Sequence, residues 1–192
     1  MKAVHAVEDD STRVTLAKLT VPDLNRMFNL ANYWDTLGWV YYQENQFEKA
    51  QKYLEASWNL NQVAAVGEHL AHVYEKQGKK AQAAHQMELA RHLGKSGFQM
   101  NYRYSPNAVS PGEELSEMRR KNLGKLGAPS ASAEFFALLV QGGKVEDVKF
   151  VSGSDSMRSL AKTLSALKFK APLPDDAPVK LVRRGEIGRA HV

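Results

Sequence analysis

The sequence predicts a chain of mixed class: antiparallel helix hairpins stacked as an α-solenoid, followed by a small α+β domain of β-β-α-β order. Two observations carry this prediction. A pattern of apolar and small residues that begins at Trp34 recurs 33 residues later, and a fixed period of this kind is typical of helical repeats. After residue 132 the apolar residues change to short continuous runs bounded by glycine and proline, which is typical of strands.

The first copy of the pattern combines one apolar helix face with two small residues. Its defining residues are, in chain order, Trp34, Leu37, Gly38, Tyr41 and Ala50. The three large residues share a helix face because they stand at i, i+3 and i+7. The two small residues allow antiparallel helices to approach closely. Asn45 stands where the first helix must end, at a position that favours a left-handed backbone.

The second copy follows the first closely. A shift of 33 residues aligns the first helices of the two copies. It pairs Leu37 with Leu70, Gly38 with Ala71, Val40 with Val73, Tyr41 with Tyr74 and Asn45 with Gly78. In its second helix, Ala83, Met87 and Ala90 fall on Ala50, Leu54 and Ser57. One position departs, since Gly67 stands where the first copy has Trp34.

The pattern resembles the signature of tetratricopeptide repeats (TPR), and two TPR hairpins would cover residues 31–95. The resemblance implies a concave groove lined by the inner face of each first helix, in a family of protein-binding scaffolds rather than catalysts. Carried onto this sequence, the groove residues are Asn32, Asp35, Trp39, Tyr42, Gln43, Glu68, His72, Glu75 and Lys76. Family members that hold a C-terminal carboxylate have a lysine where this chain has Asp35, so such a ligand is not expected.

Trp39 and Tyr42 have two interpretations. Both are large, amphipathic and off the core stripe, which suits anchors of a binding interface. Alternatively they cover a neighbouring helix or the C-terminal part of the chain. Aromatic residues are enriched at interfaces only as a tendency, so their presence does not decide between the two interpretations. The sequence alone leaves both interpretations open.

The composition excludes several classes of protein. The 192 residues include no cysteine, which excludes disulfides and thiolate metal sites. No apolar run approaches the roughly 18 residues of a membrane span, and no secretory signal is recognisable. The net charge of +5 comes from residues 101–192, which carry 15 basic and 10 acidic residues, since residues 1–100 carry 11 of each. These basic residues are scattered among acids without an aromatic platform, so nucleic-acid binding is a weak alternative.

Residues 1–30 are interpreted as an N-terminal helical cap or as the remnant of an earlier repeat. About three repeats are usually needed to bury a stable core, so Met1 is expected to be an internal methionine of a longer protein. Thr20, Pro22 and Asp23 predict a helix start, with a cap residue, a proline in the first turn and an acid near the positive end of the helix. Residues 96–131 then predict a linker, with a capping box that starts a short helix over residues 113–123.

Residues 132–184 predict two strands, a helix and a third strand. The apolar run at 134–140 is the first strand, Gly142-Gly143 a two-residue hairpin turn, and 145–152 the returning strand. Ser154 or Asp155 caps a helix, and residues 179–184 form the third strand. The apolar stripe of that helix is Met157, Leu160, Ala161, Leu164 and Leu167.

This second part resembles the C-terminal domain of TonB-type proteins. The resemblance rests on Gly143-Lys144-Val145, Asp147-Val148, Ser152-Gly153, Phe169-Lys170 and Pro178-Val179. It implies a small binding domain of the bacterial cell envelope, hence a periplasmic or envelope-associated location. Without that resemblance a cytoplasmic location is expected. The combination with TPR hairpins resembles the C-terminal part of larger envelope proteins, so the chain is interpreted as a fragment.

Residues 185–192 fit nothing that precedes them. They resemble the translation of a sequencing-library adapter, and are expected to be a non-native tail that follows the third strand. An ordinary disordered tail is the alternative.

No motif in the sequence predicts catalysis, a metal or a cofactor. His69, His72 and Glu75 have helical spacing, as do His85 and Glu88, but no H-E-x-x-H is present, so surface or groove histidines are the better interpretation. The phosphate-loop and nucleophile-elbow spacings are absent as well. No small-molecule substrate and no enzymatic activity are expected.

The leading functional hypothesis is therefore a non-catalytic scaffold whose TPR groove binds a protein segment. One alternative is a structural part that packs against an upstream catalytic domain absent from this fragment. A second alternative is nucleic-acid binding through the basic C-terminal half.

Overall fold

A computed structural model describes residues 2–94, 132–167, 173–174 and 178–187. The chain divides into two compact units, Leu30–Arg120 and a second unit made of Met1–Asn29 with Lys121–Val192. The described residues contain six α-helices and one three-stranded antiparallel sheet. The predicted mixture of helices and a small sheet is thus confirmed. The predicted linker at 96–131, with its helix at 113–123, lies outside the described residues.

The N-terminal half of the chain is helical. Its helices are α1 (Lys2–Ser11), α2 (Val21–Gln43), α3 (Phe47–Leu60), α4 (Ala64–Lys76) and α5 (Lys80–Gly94). We refer to α2 with α3 as the first hairpin and to α4 with α5 as the second. α2 runs without a break through residue 30, where the sequence predicted a boundary between regions.

α2 begins where the cap residues predicted. The backbone N–H and the hydroxyl of Thr20 both donate to the Asp23 carboxylate, at 2.9 and 2.6 Å. The hydroxyl bond from Thr20, followed by an interaction with Arg26, holds the pKa of Asp23 below its usual value. The backbone N–H of Asp23 donates in return to the Thr20 hydroxyl oxygen at 3.4 Å, so the pair satisfies a donor that the first helical turn would otherwise leave without a partner.

The turns inside the two hairpins share one geometry. Asn45 and Gly78 have φ angles of 58° and 75°. The N–H of the residue after Asn45 donates to the carbonyl oxygen of Tyr41 at 2.9 Å, and the N–H after Gly78 donates to that of Tyr74 at 2.8 Å. A left-handed residue with this bond is a Schellman motif. The predicted left-handed conformation at Asn45 is confirmed.

The two glycines that face a helix partner allow close packing. A Cβ on Gly38 would lie 2.6 Å from Cγ of Leu54, so α2 and α3 approach each other through this position. A Cβ on Gly67 would lie 2.8 Å from Cβ of Ala90 and 3.0 Å from the Trp58 indole. Trp58 of the first hairpin thus fills the space beside position 67. This explains why the second copy has glycine there instead of a tryptophan.

A polar network joins α3 to the end of α4. The Tyr74 hydroxyl donates to the Glu55 carboxylate at 2.8 Å, and Gln51 donates to the same carboxylate oxygen at 2.6 Å. Lys79 Nζ donates to Gln51 Oε1 at 2.7 Å. Burial, reinforced by the charge of Glu55, raises the pKa of the Tyr74 phenol well above its usual value. The network fixes how the second hairpin meets the first.

The second unit contains the sheet. Its strands are β1 (Ala133–Val140), β2 (Lys144–Gly153) and β3 (Leu181–Ile187), in the order β2-β1-β3 with both pairs antiparallel. α6 (Leu160–Ser165) lies between β2 and β3 in the chain. Its Leu164, with Met157, packs on Ala133 and Phe135 of β1 as the core of this unit.

Two details of the sheet differ from the sequence prediction. The β1–β2 connection is the three-residue turn Gln141–Gly143, and both its glycines have φ of 72°. β3 extends into the expected tail, since Ile187 pairs with Ala133 and Gly185 pairs with Phe135. Ladder bonds use backbone groups that every residue except proline supplies. A strand can therefore continue past residue 184 whatever side chains follow.

The N-terminal residues belong to the sheet unit. The Leu16–Lys18 turn packs against β1 and β2, and Leu16 is 1% exposed. Lys149 Nζ donates to the Leu16 carbonyl oxygen at 3.1 Å. The backbone N–H of Lys180 donates to the Ser11 hydroxyl at 3.2 Å. Residues that the sequence interpreted as a cap or a repeat remnant thus contribute to the core around the strands.

None of the described helices is both long and apolar enough to cross a bilayer.

Candidate functional site

One face of α2 and the equivalent face of α4 carry the residues expected to line a groove. On α2, Asn32, Asp35, Trp39 and Tyr42 stand at i, i+3, i+7 and i+10, which share one helix face. On α4, Glu68, His72 and Glu75 stand at i, i+4 and i+7. Each α4 residue is the counterpart of an α2 residue 33 positions earlier, so both helices present the same face.

A stack of rings joins the two helices at the centre of this surface. The Trp39 indole stacks on the Tyr42 ring with centroids 4.5 Å apart and on the His69 ring with centroids 4.2 Å apart. The His72 ring lies 6.3 Å away in a tilted orientation. Stacked aromatic pairs contribute about 0.5–1.5 kcal/mol beyond their buried area. The stack therefore stabilises the contact between the two hairpins.

His69 is also held by a carboxylate. Its Nδ1 lies 2.8 Å from Oδ1 of Asp35, and the two side chains are 27% and 20% exposed. This bond orients the imidazole against the Trp39 indole. The pair links α2 to α4 a second time, through residues 34 positions apart.

The structure places Trp39 against a neighbouring helix, as the second interpretation of this residue held. Because the rings of Tyr42 and His69 stack on the indole, Trp39 belongs to a packed aromatic cluster and is not a free anchor for a ligand. We call this cluster the aromatic floor. Trp39, Tyr42, Asp35 and His72 are half-buried, whereas the other predicted groove residues are exposed. The exposed ones are Asn32, Gln43, Glu68, Glu75 and Lys76.

Sequence reasoning missed two members of the cluster. The sequence indicates a surface or groove histidine at His69 in preference to a metal ligand, but not a ring that stacks on Trp39, and it gives no role to Phe47, whose ring edge packs against Tyr42 at 5.7 Å. His69 immediately follows Glu68, the counterpart of Asp35, on the side of α4 that meets the first hairpin. Aligning the two copies in sequence does not reveal this contact. Packing the second hairpin against the first in three dimensions brings His69 to Trp39.

The histidines do not form a metal centre in the described part of the chain. His72 Nδ1 lies 3.7 Å from Oε2 of Glu75, but no three histidine or carboxylate side chains among the described residues converge on a point that could hold an ion. The chemistry that this surface offers is therefore hydrogen bonding, ion pairing and contact with aromatic rings.

No protein-family model, curated protein or solved structure matches this chain.

Proposed function

We propose that the chain is a non-catalytic scaffold of the TPR type, whose groove between α2 and α4 binds a protein segment. One observation carries the proposal: Trp39 and Tyr42 of α2 form one ring cluster with His69 and His72 of α4, in which the Trp39 and His69 centroids are 4.2 Å apart. A continuous surface across successive hairpins is what solenoid scaffolds use for extended ligands. The equivalent left-handed turns at Asn45 and Gly78 support the assignment to repeats.

The exposed polar residues make the specific contacts in this proposal. Glu68 and Glu75 project from α4, and Asn32 and Gln43 from α2, around the aromatic floor. A bound segment would pair its backbone and charged groups with these side chains, while Trp39 and Tyr42 supply a rigid, half-buried surface beneath it. Rigid aromatic residues suit such a role because they lose little conformational entropy on binding.

The sheet unit is proposed to be a second contact surface related to the TonB C-terminal domain. Its strand and helix order in the described residues, β1, β2, α6 and β3, supports this relation. In that case the protein belongs to the bacterial envelope, and the two units bring separate partners together. No reaction is assigned to either unit.

A displayed library of random short peptides tests the groove directly. Selection on the full chain should enrich peptides whose binding is lost in the variant Glu68→Lys/Glu75→Lys. The matched control is Glu48→Lys/Glu88→Lys, which makes the same change of charge at exposed positions on α3 and α5. Circular dichroism should show equal helix content in both variants.

Two results would overturn the assignment. Either no peptide is enriched, as expected if the hairpins serve only to pack against another domain, or enriched peptides bind both variants equally. Binding of duplex DNA that falls steeply with salt, with no peptide binding, would instead favour the nucleic-acid alternative.

A further inference from the structure

The charges of the two hairpins are distributed unevenly between their helices. Residues 30–43 of α2 and the whole of α4 carry three carboxylates and one cation, Lys76, which stands at the C-terminal end of α4. The helices α3 and α5 carry four cations and three carboxylates. The two helices that present the proposed groove are therefore the more acidic pair, although the whole chain has a net charge of +5.

Two of the three carboxylates are accessible to a ligand. Asp35 is half-buried and bonded to His69, so its charge is already used within the chain. Glu68 is exposed. The Glu75 side chain is 73% exposed, although His72 Nδ1 lies 3.7 Å from its carboxylate. Accessible charges of one sign on a binding surface favour a partner that carries the opposite sign.

The spacing of the two exposed carboxylates matches that of an extended segment. Glu68 and Glu75 are seven positions apart in α4, which is nearly two full turns, so they stand on one side of the helix. Their backbone positions are about 10 Å apart at about 1.5 Å per residue. In the polyproline II conformation three residues complete a turn and advance about 9 Å. Side chains three positions apart in such a segment therefore lie on one side, at nearly the same distance as the two carboxylates.

Half-buried rings adjoin this pair of carboxylates. His72 stands between Glu68 and Glu75 in α4, and its ring centroid lies 6.3 Å from that of the Trp39 indole. The indole stacks in turn on Tyr42. Lysine and arginine have apolar stems that pack on surfaces of this kind while their charged ends remain in water or beside a carboxylate. The face thus suits both the stem and the charge of a long cationic side chain.

We infer that the partner is a basic protein segment in extended conformation, with two lysine or arginine residues three positions apart, one beside Glu68 and the other beside Glu75. The inference rests on the proposed function, because it names the ligand of the same groove. Both carboxylates would repel an acidic segment. A wholly apolar segment would remove water from them without supplying an ion pair, which costs free energy.

Fluorescence anisotropy of labelled peptide pools with the full chain tests the class of ligand. Each pool is random except at two positions three residues apart, which are both lysine, both glutamine or both glutamate. The lysine pool should bind about 4–25-fold more tightly than the glutamine pool, because each exposed ion pair contributes about 2–5-fold. Added salt should reduce this preference. A pool with adjacent lysines should bind more weakly than the spaced pool, because its cations start about 3 Å apart instead of about 9 Å.

Variants of the chain test which carboxylates select the ligand. Glu68→Gln/Glu75→Gln should bind the lysine and glutamine pools equally. Glu68→Lys/Glu75→Lys should bind the glutamate pool more tightly than the lysine pool. Glu48→Lys/Glu88→Lys reverses two exposed carboxylates on α3 and α5 and should keep the preference for lysine. Circular dichroism should show the same helix content in all three variants.

The outcomes separate this inference from the proposed function. If all pools bind the unchanged chain equally and Glu68→Lys/Glu75→Lys binds none, the groove binds a segment without selecting its charge, so the inference fails and the proposed function stands. A lysine preference that persists in Glu68→Gln/Glu75→Gln also overturns the inference. Equal binding of adjacent and spaced lysines overturns the spacing. If no pool binds the unchanged chain, the inference and the proposed function fail together.

Discussion

Asn45 and Gly78 hold the same left-handed backbone at the same point of successive helix hairpins, with φ of 58° and 75°. Each lets the following N–H bond back to the last turn of the preceding helix. Glycine adopts this conformation freely, and asparagine is the side chain that tolerates it best. Two different residues thus meet one backbone requirement, and this requirement leads to the first prediction.

Gly78→Ala should destabilise the hairpins by about 1–2 kcal/mol, the cost of a left-handed backbone for a residue with a Cβ. No atom lies within 4 Å of where that Cβ would be, so steric contact adds nothing. Urea denaturation followed by helical circular dichroism measures the change. Gly94→Ala is the control, because its φ is not left-handed and its Cβ would make an ordinary 3.6 Å contact with Ala64. Equal stability of both variants would contradict the prediction.

Gly38→Ala should cost about 1–3 kcal/mol through overpacking, because its Cβ would lie 2.6 Å from Leu54 Cγ and 3.3 Å from the Ala50 carbonyl oxygen. Removing the Leu54 side chain relieves most of that clash. The double variant Gly38→Ala/Leu54→Ala should therefore be more stable than the sum of the two single changes predicts. If the two changes in the free energy of unfolding are strictly additive, the clash with the Leu54 side chain is not what destabilises the Gly38→Ala variant.

Tyr74 should make the stability of the chain fall at alkaline pH. Its folded pKa is raised above the unfolded value near 10, so its contribution is fully present below about pH 10. It is lost as the pH rises from there towards the folded pKa, because the unfolded chain releases the phenolic proton first. Tyr74→Phe should flatten this part of the stability profile, measured by urea denaturation between about pH 8 and 11. Tyr33→Phe, at an exposed position, should leave the profile unchanged.

Leu16→Ala should destabilise the sheet unit by about 2–5 kcal/mol, because the side chain is fully buried in the turn that packs on β1 and β2. Hydrogen exchange of the β1 amides, such as those of Phe135 and Leu138, reports on this unit separately from the hairpins. Lys18→Ala, at an exposed position in the same turn, should change these rates little. Faster exchange confined to the hairpins would contradict the assignment of this segment to the sheet.

Local features were predictable from the sequence. The start of α2 at Thr20 and the left-handed Asn45 follow from capping and turn chemistry, which depend on a few adjacent residues. Two adjacent strands followed by a helix were predicted from hydrophobic spacing, because the period of side chains along an element determines which face can be buried.

Contacts between distant parts of the chain were not predictable in the same way. Nothing near His69 indicates that its ring stacks on Trp39, since the contact depends on the angle at which the hairpins pack. The bond from Lys149 to the Leu16 carbonyl oxygen joins residues 133 positions apart. This bond can form only where the folded sheet provides a surface for the N-terminal turn.

The sequence by itself determined the helix periods, the caps and the left-handed turns, because these depend on interactions within a few residues. Only the tertiary structure decided that Trp39 faces α4, that residues 2–29 complete the sheet unit, and that β3 continues to Ile187. The physical reason is that packing and strand pairing use surfaces and backbone groups that many sequences share. The geometry of the whole unit determines which surfaces pack together and which strands pair, and no single motif determines it.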